Sequence, residues 1–239
     1  MPRSTGLRSR IAGLPWSALQ QELDERGLAH SPALLTPQEC RALIALDADP
    51  GNFRSRIEME KHGYGKGSYG YFAEPLPATV ALLRRELYER LQPMANRMMQ
   101  QLGRPLRYPD SLDDYRALCA SAGQTRPTPL LLRYGPGDFN RLHRDLYGEL
   151  LFPLQVAVAL SEPGSDYQGG EMLFVEQRAR QQARGEALLP ERGSLVIFPV
   201  FERPAPGKHG LVKMTMRHGV SPVRGGQRYV LGVIFHDAA

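Results

Sequence analysis

The chain has 239 residues, of which 42% are hydrophobic and 23% are charged, so it is long enough to bury a core and too balanced in composition for a disordered protein. Its 24 glycines and 20 prolines follow no fixed period, which excludes a collagen-like chain. Its two cysteines exclude a disulfide framework and a thiolate metal cage. The formal net charge of +5 is carried mainly by arginine, and it permits contact with nucleic acid or acidic substrates without establishing it.

Nothing in the sequence predicts a membrane protein or a secreted one. No stretch approaches the roughly 18 uncharged apolar residues of a membrane span. The segment from Met1 to Arg10 is basic and lacks the apolar run of a secretory signal. We therefore expect a soluble, cytoplasmic protein.

The first half, residues 1–127, is predicted to be mainly helical. Ser17 and Gln20 are spaced as a capping box for a helix that Gly27 would close. Thr36, Pro37 and Glu39 repeat the signal for a second helix. We expect these helices to pack on a larger body.

Two further helices and an irregular region complete this half. A long apolar stripe predicts a helix from Leu76 to Gly103, which Pro93 should kink or divide. A shorter helix is expected between Ser111 and Gly123. The stretch from Asn52 to Phe72 is rich in glycine and tyrosine, which is typical of loops and hairpins.

From residue 128 to 239 the hydrophobic period changes from 3.6 to 2, which predicts strands. The fold class is therefore α+β, with an antiparallel sandwich or barrel such as a jelly roll in the second half. No linker separates the halves convincingly, so we expect one integrated unit. The predicted strands are Pro129 to Tyr134, Leu150 to Leu160, Met172 to Glu176, Ser194 to Phe198, Leu211 to Arg217 and Arg228 to Phe235.

The most informative short motif joins His143 and Asp145. Residues separated by one position lie on the same face of an extended strand, so this imidazole and this carboxylate can point at one metal ion. His218, at the end of another predicted strand, supplies a third ligand. Two histidines and one carboxylate form the facial triad of non-haem Fe(II) sites. Arg228, ten residues later, could hold a dicarboxylate through two parallel hydrogen bonds.

In this order the motifs resemble the Fe(II)/2-oxoglutarate-dependent dioxygenases, whose core is a double-stranded β-helix, or jelly roll. The resemblance spans about Leu130 to Asp237, and it includes Gly169-Gly170-Glu171 and Gly193 to Phe198 between the two parts of the triad. It implies that His143, Asp145 and His218 bind iron and act in catalysis, and that Arg228 pairs with the distal carboxylate of 2-oxoglutarate. The implied cofactors are Fe(II), the cosubstrate 2-oxoglutarate and O2, with succinate and CO2 as coproducts.

Two more residues are candidates for cosubstrate binding. Related hydroxylases often carry a tyrosine at the position of Tyr134, where the alternative is a core aromatic beside a turn. Gln155 lies on a strand face that it shares with Ala157 and Ala159, small enough to line a pocket. Its alternative role is a hydrogen bond to a neighbouring loop.

The first half sharpens the resemblance and suggests a substrate. The region from Phe53 to Phe72 and Leu76-Pro77, together with the β-rich half, resembles a bacterial oxygenase group described as acting in oxidative demethylation of damaged DNA. An entrance suited to a base or a phosphate could be formed by Arg54, Arg56, Tyr64, Tyr69 and Tyr71. A hairpin with solvated arginines is the alternative.

Other functions stay open at this point. Within the superfamily, the substrate could be a peptide, as in prolyl hydroxylases, or a free metabolite. Outside it, the chain could be a cupin-like metalloenzyme or a non-catalytic jelly-roll binding module. His30, His62 and His209 are expected at the surface, and His236 has no accompanying motif.

Overall fold

The computed structural model describes residues 4–145 and 148–239, so residues 1–3 of the basic N-terminal segment lie outside the described residues. Helices are concentrated in the first half, as the sequence predicts. They are α1 Ser4–Ala12, α2 Trp16–Arg26, α3 Pro37–Ala45, α4 Ala78–Gln101 and α5 Leu112–Ser121. Short 3-10 turns lie at Leu46–Ala48, Pro50–Asn52 and Met59–His62.

The helix ends test the predicted caps. Helix α3 begins with the predicted capping box, in which the Thr36 hydroxyl accepts from the Glu39 amide and the Glu39 carboxylate accepts from the Thr36 amide. Helix α2 ends as predicted, because Gly27 adopts the left-handed conformation with φ 76°. The Ser17 capping box is wrong: α2 begins at Trp16, directly after Pro15, with no side-chain cap.

Helix α4 continues through Pro93 without being divided. Leu91, before the proline, and Met94, after it, are both buried. Proline in a helix interior costs about 3 kcal/mol, and burial of the apolar stripe on both sides offsets that cost. The prediction was that Pro93 should kink or divide this helix; division is wrong, and the kink stays a prediction.

Fifteen strands are formed by the described residues. They are β1 Ala29–His30, β2 Phe53–Glu58, β3 Gly65–Lys66, β4 Ser68–Phe72, β5 Leu130–Tyr134, β6 Phe139–His143, β7 Leu154–Ala159, β8 Tyr167–Gly169, β9 Met172–Gln177, β10 Arg184–Leu188, β11 Leu195–Pro199, β12 Glu202–Gly207, β13 Gly210–Val220, β14 Val223–Gly226 and β15 Arg228–Val233. A seven-stranded antiparallel sheet has the order β1-β11-β7-β15-β5-β4-β2. A second sheet has the order β10-β9-β13-β6-β3, with β12 also paired to β13.

The two sheets face each other across a buried apolar layer. Val196 and Val230 of the seven-stranded sheet belong to one cluster with Met172 and Phe174 of the second sheet. The other face of the seven-stranded sheet joins the helices, since Leu131 and Leu231 share a core with Leu87 of α4. This mixed architecture agrees with the predicted α+β class and jelly-roll core. The boundary at residues 127 and 128 stays a prediction.

Strands β2 and β4 from the first half extend the seven-stranded sheet beside β5. The glycine- and tyrosine-rich stretch thus forms a hairpin, as predicted, and brings its tyrosines next to the β-rich half. Gly70 is required here, because a Cβ at this position would lie 2.4 Å from the Phe53 ring. In the part of the chain that the structure describes, no helix has the length and apolar character needed to cross a membrane.

Candidate metal centre and cosubstrate pocket

The three predicted metal ligands meet on the second sheet. His143 ends β6 and pairs in register with His218 of β13, while Asp145 follows two residues after His143. The Nε2 atom of His143 lies 3.3 Å from Asp145 Oδ1, and that of His218 lies 3.4 Å from Asp145 Oδ2. One ligand atom from each residue lies within 4.8 Å of the other two. The antiparallel register therefore assembles the cluster from residues 75 positions apart.

The donor atoms of this cluster fit Fe(II). Two imidazoles and one carboxylate are the ligands of non-haem iron sites, in which three coordination positions stay open. The Nδ1 atom of His143 lies 2.7 Å from the Arg141 carbonyl, and a bond there fixes the tautomer that leaves Nε2 free for a metal. Phe198 packs against the His218 ring at 4.7 Å and orients the second imidazole.

Electrostatics keep the carboxylate charged. Burial alone would raise the pKa of Asp145, but the charges of His218 and His143 and their hydrogen bonds outweigh burial and hold this pKa well below its usual range. Burial alone would lower the pKa of His143, but its hydrogen bond to Asp145 and the charge of Asp145 outweigh burial and raise this pKa above the ordinary value. Burial dominates at His218 and lowers its pKa. The Asp145 carboxylate is thus available as an anionic ligand.

Gln155 reaches this cluster from the opposite sheet. Its amide nitrogen donates to Asp145 Oδ2 at 2.9 Å and lies 3.2 Å from His218 Nε2. The side chain is 7% exposed, so the bond is shielded from water. Gln155 therefore contacts the triad itself rather than a neighbouring loop.

A cavity of about 510 Å³ opens beside the triad between the two sheets. Alternation along the strands turns one face of each inward, so that Leu130, Leu132 and Tyr134 of β5 line it. Ala157 and Gly232 also line it, and because Ala157 is small and Gly232 has no side chain, they leave space in the cavity. The triad, Gln155 and Arg228 all line this one cavity.

Arg228 is the unusual charge of the cavity. It is 2% exposed, and none of the described residues offers it a carboxylate in an ion pair. Its Nε atom has no hydrogen-bond partner, and its guanidinium lies 5.4 Å from the Tyr134 ring and 5.8 Å from the Tyr167 ring. A buried unpaired cation is costly, so this end of the cavity fits an anion.

Tyr134 supports the same end of the cavity. It pairs in register with Arg228, is fully buried, and its hydroxyl has no hydrogen-bond partner. Burial is the main reason that its pKa rises to about 12, so the phenol stays protonated and can donate. A carboxylate group would match the unpartnered Nε donor of Arg228 and the unpartnered hydroxyl of Tyr134.

The predicted entrance forms only in part. Arg54, Tyr64, Tyr69 and Tyr71 line the cavity. Arg56 instead binds Asp47 through an ion pair of 2.8 Å, because the Leu46–Ala48 turn places that carboxylate beside β2. The prediction of Arg56 at the entrance is therefore wrong.

The remaining histidines differ in their surroundings. His62 and His209 are exposed, as predicted. His30 is half-buried, because β1 pairs with β11 and brings its ring 3.0 Å from the Ser194 hydroxyl. His236 is buried at the cavity wall and binds the Phe152 amide.

Several residues in or beside the cavity were not foreseen from the sequence. Tyr167 lies beside Arg228 and precedes the Gly169-Gly170-Glu171 motif by two residues. Its aromatic type so close to that motif is the sequence feature that could have indicated a role near Arg228. Arg126 and Arg141 line the cavity, but nothing in the sequence separates them from the many surface arginines.

Comparison with protein families gives a match over most of the chain. Residues 67–238 match the Oxygenase-NA family, described as "Oxygenase, catalysing oxidative methylation of damaged DNA". An uncharacterized protein of Mycobacterium tuberculosis, found in two strains, is 49% identical over 168 residues, which cover 70% of this chain and 72% of the relative. The family match includes His143, Asp145 and His218.

Solved structures share the fold at low sequence identity. The non-heme alpha ketoglutarate dependent epimerase SnoN from nogalamycin biosynthesis aligns with a TM-score of 0.57 and 14% identity, over 91% of this chain and 80% of that one. An oxidoreductase of the 2OG-Fe(II) oxygenase family from Burkholderia pseudomallei aligns with a TM-score of 0.50 and 16% identity, over 99% and 93% of the two chains. These likenesses establish the fold.

Proposed function

The chain belongs to the Oxygenase-NA family and is an oxygenase, and from this premise we propose that it is an Fe(II)- and 2-oxoglutarate-dependent dioxygenase acting on damaged, N-alkylated DNA. Enzyme class and fold agree with the predicted cofactors Fe(II), 2-oxoglutarate and O2. The observation that carries the proposal is one cavity that holds both the His143-Asp145-His218 cluster and the unpaired, buried Arg228.

Each of these residues has a distinct role in the proposal. His143, Asp145 and His218 bind the iron through two Nε2 atoms and a carboxylate oxygen. Arg228 binds the distal carboxylate of 2-oxoglutarate, and the Tyr134 hydroxyl donates to it. Gln155 holds the Asp145 carboxylate in place through a hydrogen bond.

The chemistry follows from what occupies the cavity. When bound, the iron supplies activation of O2 and oxidation of a substrate C–H bond, coupled to conversion of 2-oxoglutarate to succinate and CO2. The chain positions the substrate carbon next to the triad and excludes bulk water with the apolar walls of Leu130, Leu132 and Val230. On an N-methyl group, hydroxylation leads to loss of formaldehyde and restores the base.

Succinate release tests the proposal directly. Purified enzyme with Fe(II), 2-oxoglutarate and O2 is given methylated oligonucleotides, peptides or amino acids, and Asp145→Ala serves as the blank. We expect succinate and formaldehyde in equal amounts with a methylated oligonucleotide. Succinate at the level of the Asp145→Ala blank with every substrate would refute the oxygenase assignment. Succinate with a peptide or an amino acid alone would replace DNA as the substrate.

A further inference from the structure

The arginines that line the cavity differ from most of those elsewhere in the protein. Arg54, Arg126 and Arg141 line it together with Arg228, and none of the four forms an ion pair with a described carboxylate. Two residues from Arg54, by contrast, Arg56 pairs with Asp47 at 2.8 Å. Among the described residues, Asp145 is the acidic side chain that lines the cavity. The cavity is therefore positively charged beyond what Arg228 alone provides.

Strand register places Arg228 and Arg126 beside opposite ends of β5. Arg228 pairs with Tyr134 at one end of β5, whereas Arg126 forms a bridge with Ala238 beyond the other end of β5. Gly232 pairs with Ala157 between them, two residues from Gln155, which binds Asp145. The metal cluster thus lies between the Arg228 end and the Arg126 end.

Arg54 lies at the Arg126 end of the cavity, and the two terminal nitrogens of its guanidinium are free to donate. Its Nε atom donates to the Pro127 carbonyl at 2.8 Å, and its guanidinium lies 4.5 Å from the centre of the Tyr71 ring. Neither terminal nitrogen of Arg54 has a hydrogen bond to the described residues. The guanidinium is therefore oriented in advance while two donor groups stay available.

The positive charges of Arg54 and Arg126 also interact. Burial is the main cause that lowers the pKa of Arg54, and the charge of Arg126 lowers it further. Tyr71, whose ring lies against the Arg54 guanidinium, also lines the cavity. Burial raises the pKa of Tyr71, and the negative charge of Asp145 raises it further. Tyr71 therefore lies near both Arg54 and the Asp145 carboxylate of the metal cluster.

We propose that Arg54 and Arg126 form a second anion site, which binds a backbone phosphate of single-stranded DNA while the damaged base lies at the triad. Two guanidinium groups with free donors at the same end of the cavity match the two unesterified oxygens of a phosphodiester. Their place on the side of the triad away from Arg228 leaves the cosubstrate site free. This inference rests on the proposed function, and it assigns the DNA-binding contact of that same site.

Oligonucleotide binding tests the site without turnover. A fluorescein-labelled single strand with one N-methylated base is titrated with metal-free wild type, Arg54→Gln and Arg126→Gln, and anisotropy is measured at several salt concentrations. We expect each substitution to raise Kd about 10-fold at low salt. We also expect the slope of log K against log salt to fall by about 0.7 for each lost phosphate contact. Arg90→Gln, which removes an exposed and unpaired arginine from α4, should leave both quantities unchanged.

A second arm identifies the phosphate as the ligand. One methylphosphonate linkage, which is uncharged, replaces the phosphate next to the damaged base. We expect this oligonucleotide to bind wild type as weakly as the normal one binds Arg54→Gln, with little further loss in the variant. Arg126 is exposed and makes no side-chain bond, so Arg126→Gln carries the test if Arg54→Gln does not fold.

Three results would overturn this site. They are an absence of oligonucleotide binding by wild type, equal Kd and salt slope in wild type and both variants, and equal losses in Arg90→Gln and Arg126→Gln. Because no iron or 2-oxoglutarate enters the titration, these results are independent of succinate release. An enzyme that releases succinate but binds DNA without Arg54 and Arg126 would retain its proposed function and lose this site.

Discussion

Gln155 is the residue whose single contact has the clearest consequence for metal binding. Its amide donates to Asp145 Oδ2, and an outer hydrogen bond of this kind orients a ligating carboxylate. We expect Gln155→Met, which keeps the volume and removes the donor, to weaken Mn(II) binding about 10-fold. Isothermal titration of the protein with Mn(II) measures this change.

The control for this substitution is Gln227→Met, an exposed glutamine beside β15. It should leave the Mn(II) affinity unchanged. The unfolding midpoint of metal-free Gln155→Met should stay close to that of wild type, which separates positioning of Asp145 from a loss of packing. An unchanged Mn(II) affinity in Gln155→Met would show that the bond to Asp145 is not needed.

In contrast to Gln155, substitution of Arg228 should weaken binding of the cosubstrate and leave the metal affinity unchanged. A charge-assisted hydrogen bond contributes about 1.5–3 kcal/mol, so Arg228→Gln should raise the Kd of 2-oxoglutarate about 10- to 150-fold. Arg228→Lys keeps the charge but not the two parallel donors, so its Kd for 2-oxoglutarate should lie between those of wild type and Arg228→Gln. Titration calorimetry of the Mn(II)-loaded protein with 2-oxoglutarate measures these values.

Arg224→Gln is the matched control, because this nearby arginine is 71% exposed and its contact with Glu171 spans 3.5 Å. It should bind 2-oxoglutarate like wild type. Metal-free Arg228→Gln should be at least as stable as wild type, because wild-type Arg228 buries a cation that has no carboxylate partner among the described residues. An equal affinity of Arg228→Gln and wild type for 2-oxoglutarate would contradict the assignment.

Individual residues were predictable from sequence where a short motif fixes their chemistry. His143 and Asp145 are two positions apart, so their proximity follows from local backbone geometry. His218 lies close to them only because β6 pairs with β13, which no local pattern shows, and the order of the motifs was what identified it. The bond from Gln155 to Asp145 spans two sheets, and no local pattern reports such a contact.

Among the secondary-structure elements, α4 is tied to the end of the chain by one buried side chain. Arg84 donates to the Ile234 and Phe235 carbonyls at 2.9 and 2.8 Å and to Asp237 Oδ1 at 2.6 Å. Removal of one partner from a buried ion pair costs about 3–5 kcal/mol. We expect Arg84→Met to lower the free energy of unfolding by about that amount, measured by urea denaturation.

The adjacent Arg85→Met provides the control for this prediction. Arg85 is exposed and contacts Asp113 at 3.3 Å on the surface, so its loss should change stability by less than about 0.5 kcal/mol. Equal urea midpoints for Arg84→Met and Arg85→Met would show that the bonds to Asp237 and the carbonyls do not hold α4 in place.

Elements were predictable where propensity and burial agree. Strands β5, β9, β11 and β15 lie within one or two residues of their expected ends. Strands β10 and β12 were missed because their sequences are polar or rich in proline, and they form through pairing with β9 and β13. Helix α2 was misread at its start, since Ser17 lies inside the helix and not before it.

For the molecule as a whole, the two sheets and the helical layer place every proposed site in one cavity. The helices cover one face of the seven-stranded sheet, so its other face is left to enclose the cavity with the second sheet. Composition alone indicated only a positively charged protein. In the folded chain many arginines pair with carboxylates, whereas the four that line the cavity pair with none of the described carboxylates, and this group is where anionic ligands are expected.

Stability of the whole fold should depend on pH through His236. This side chain is 3% exposed at the end of the last strand, and its Nδ1 accepts from the Phe152 amide at 3.3 Å. Burial, aided by the charge of Arg84, lowers its pKa from 6.5 to about 4. The folded state therefore disfavours the proton that the unfolded chain accepts near pH 6.5.

The sign of the effect follows from this difference. The stabilising contribution of neutral His236 is fully present above pH 6.5 and is lost as the pH falls toward 4, where the loss reaches about 3 kcal/mol. We expect His236→Asn, which keeps an acceptor for the Phe152 amide and does not titrate, to lose less stability over this interval. Urea denaturation of both proteins at pH 7, 5.5 and 4.5 measures the difference. Parallel losses would contradict it, because the other titrating groups are common to both proteins and only His236 distinguishes them.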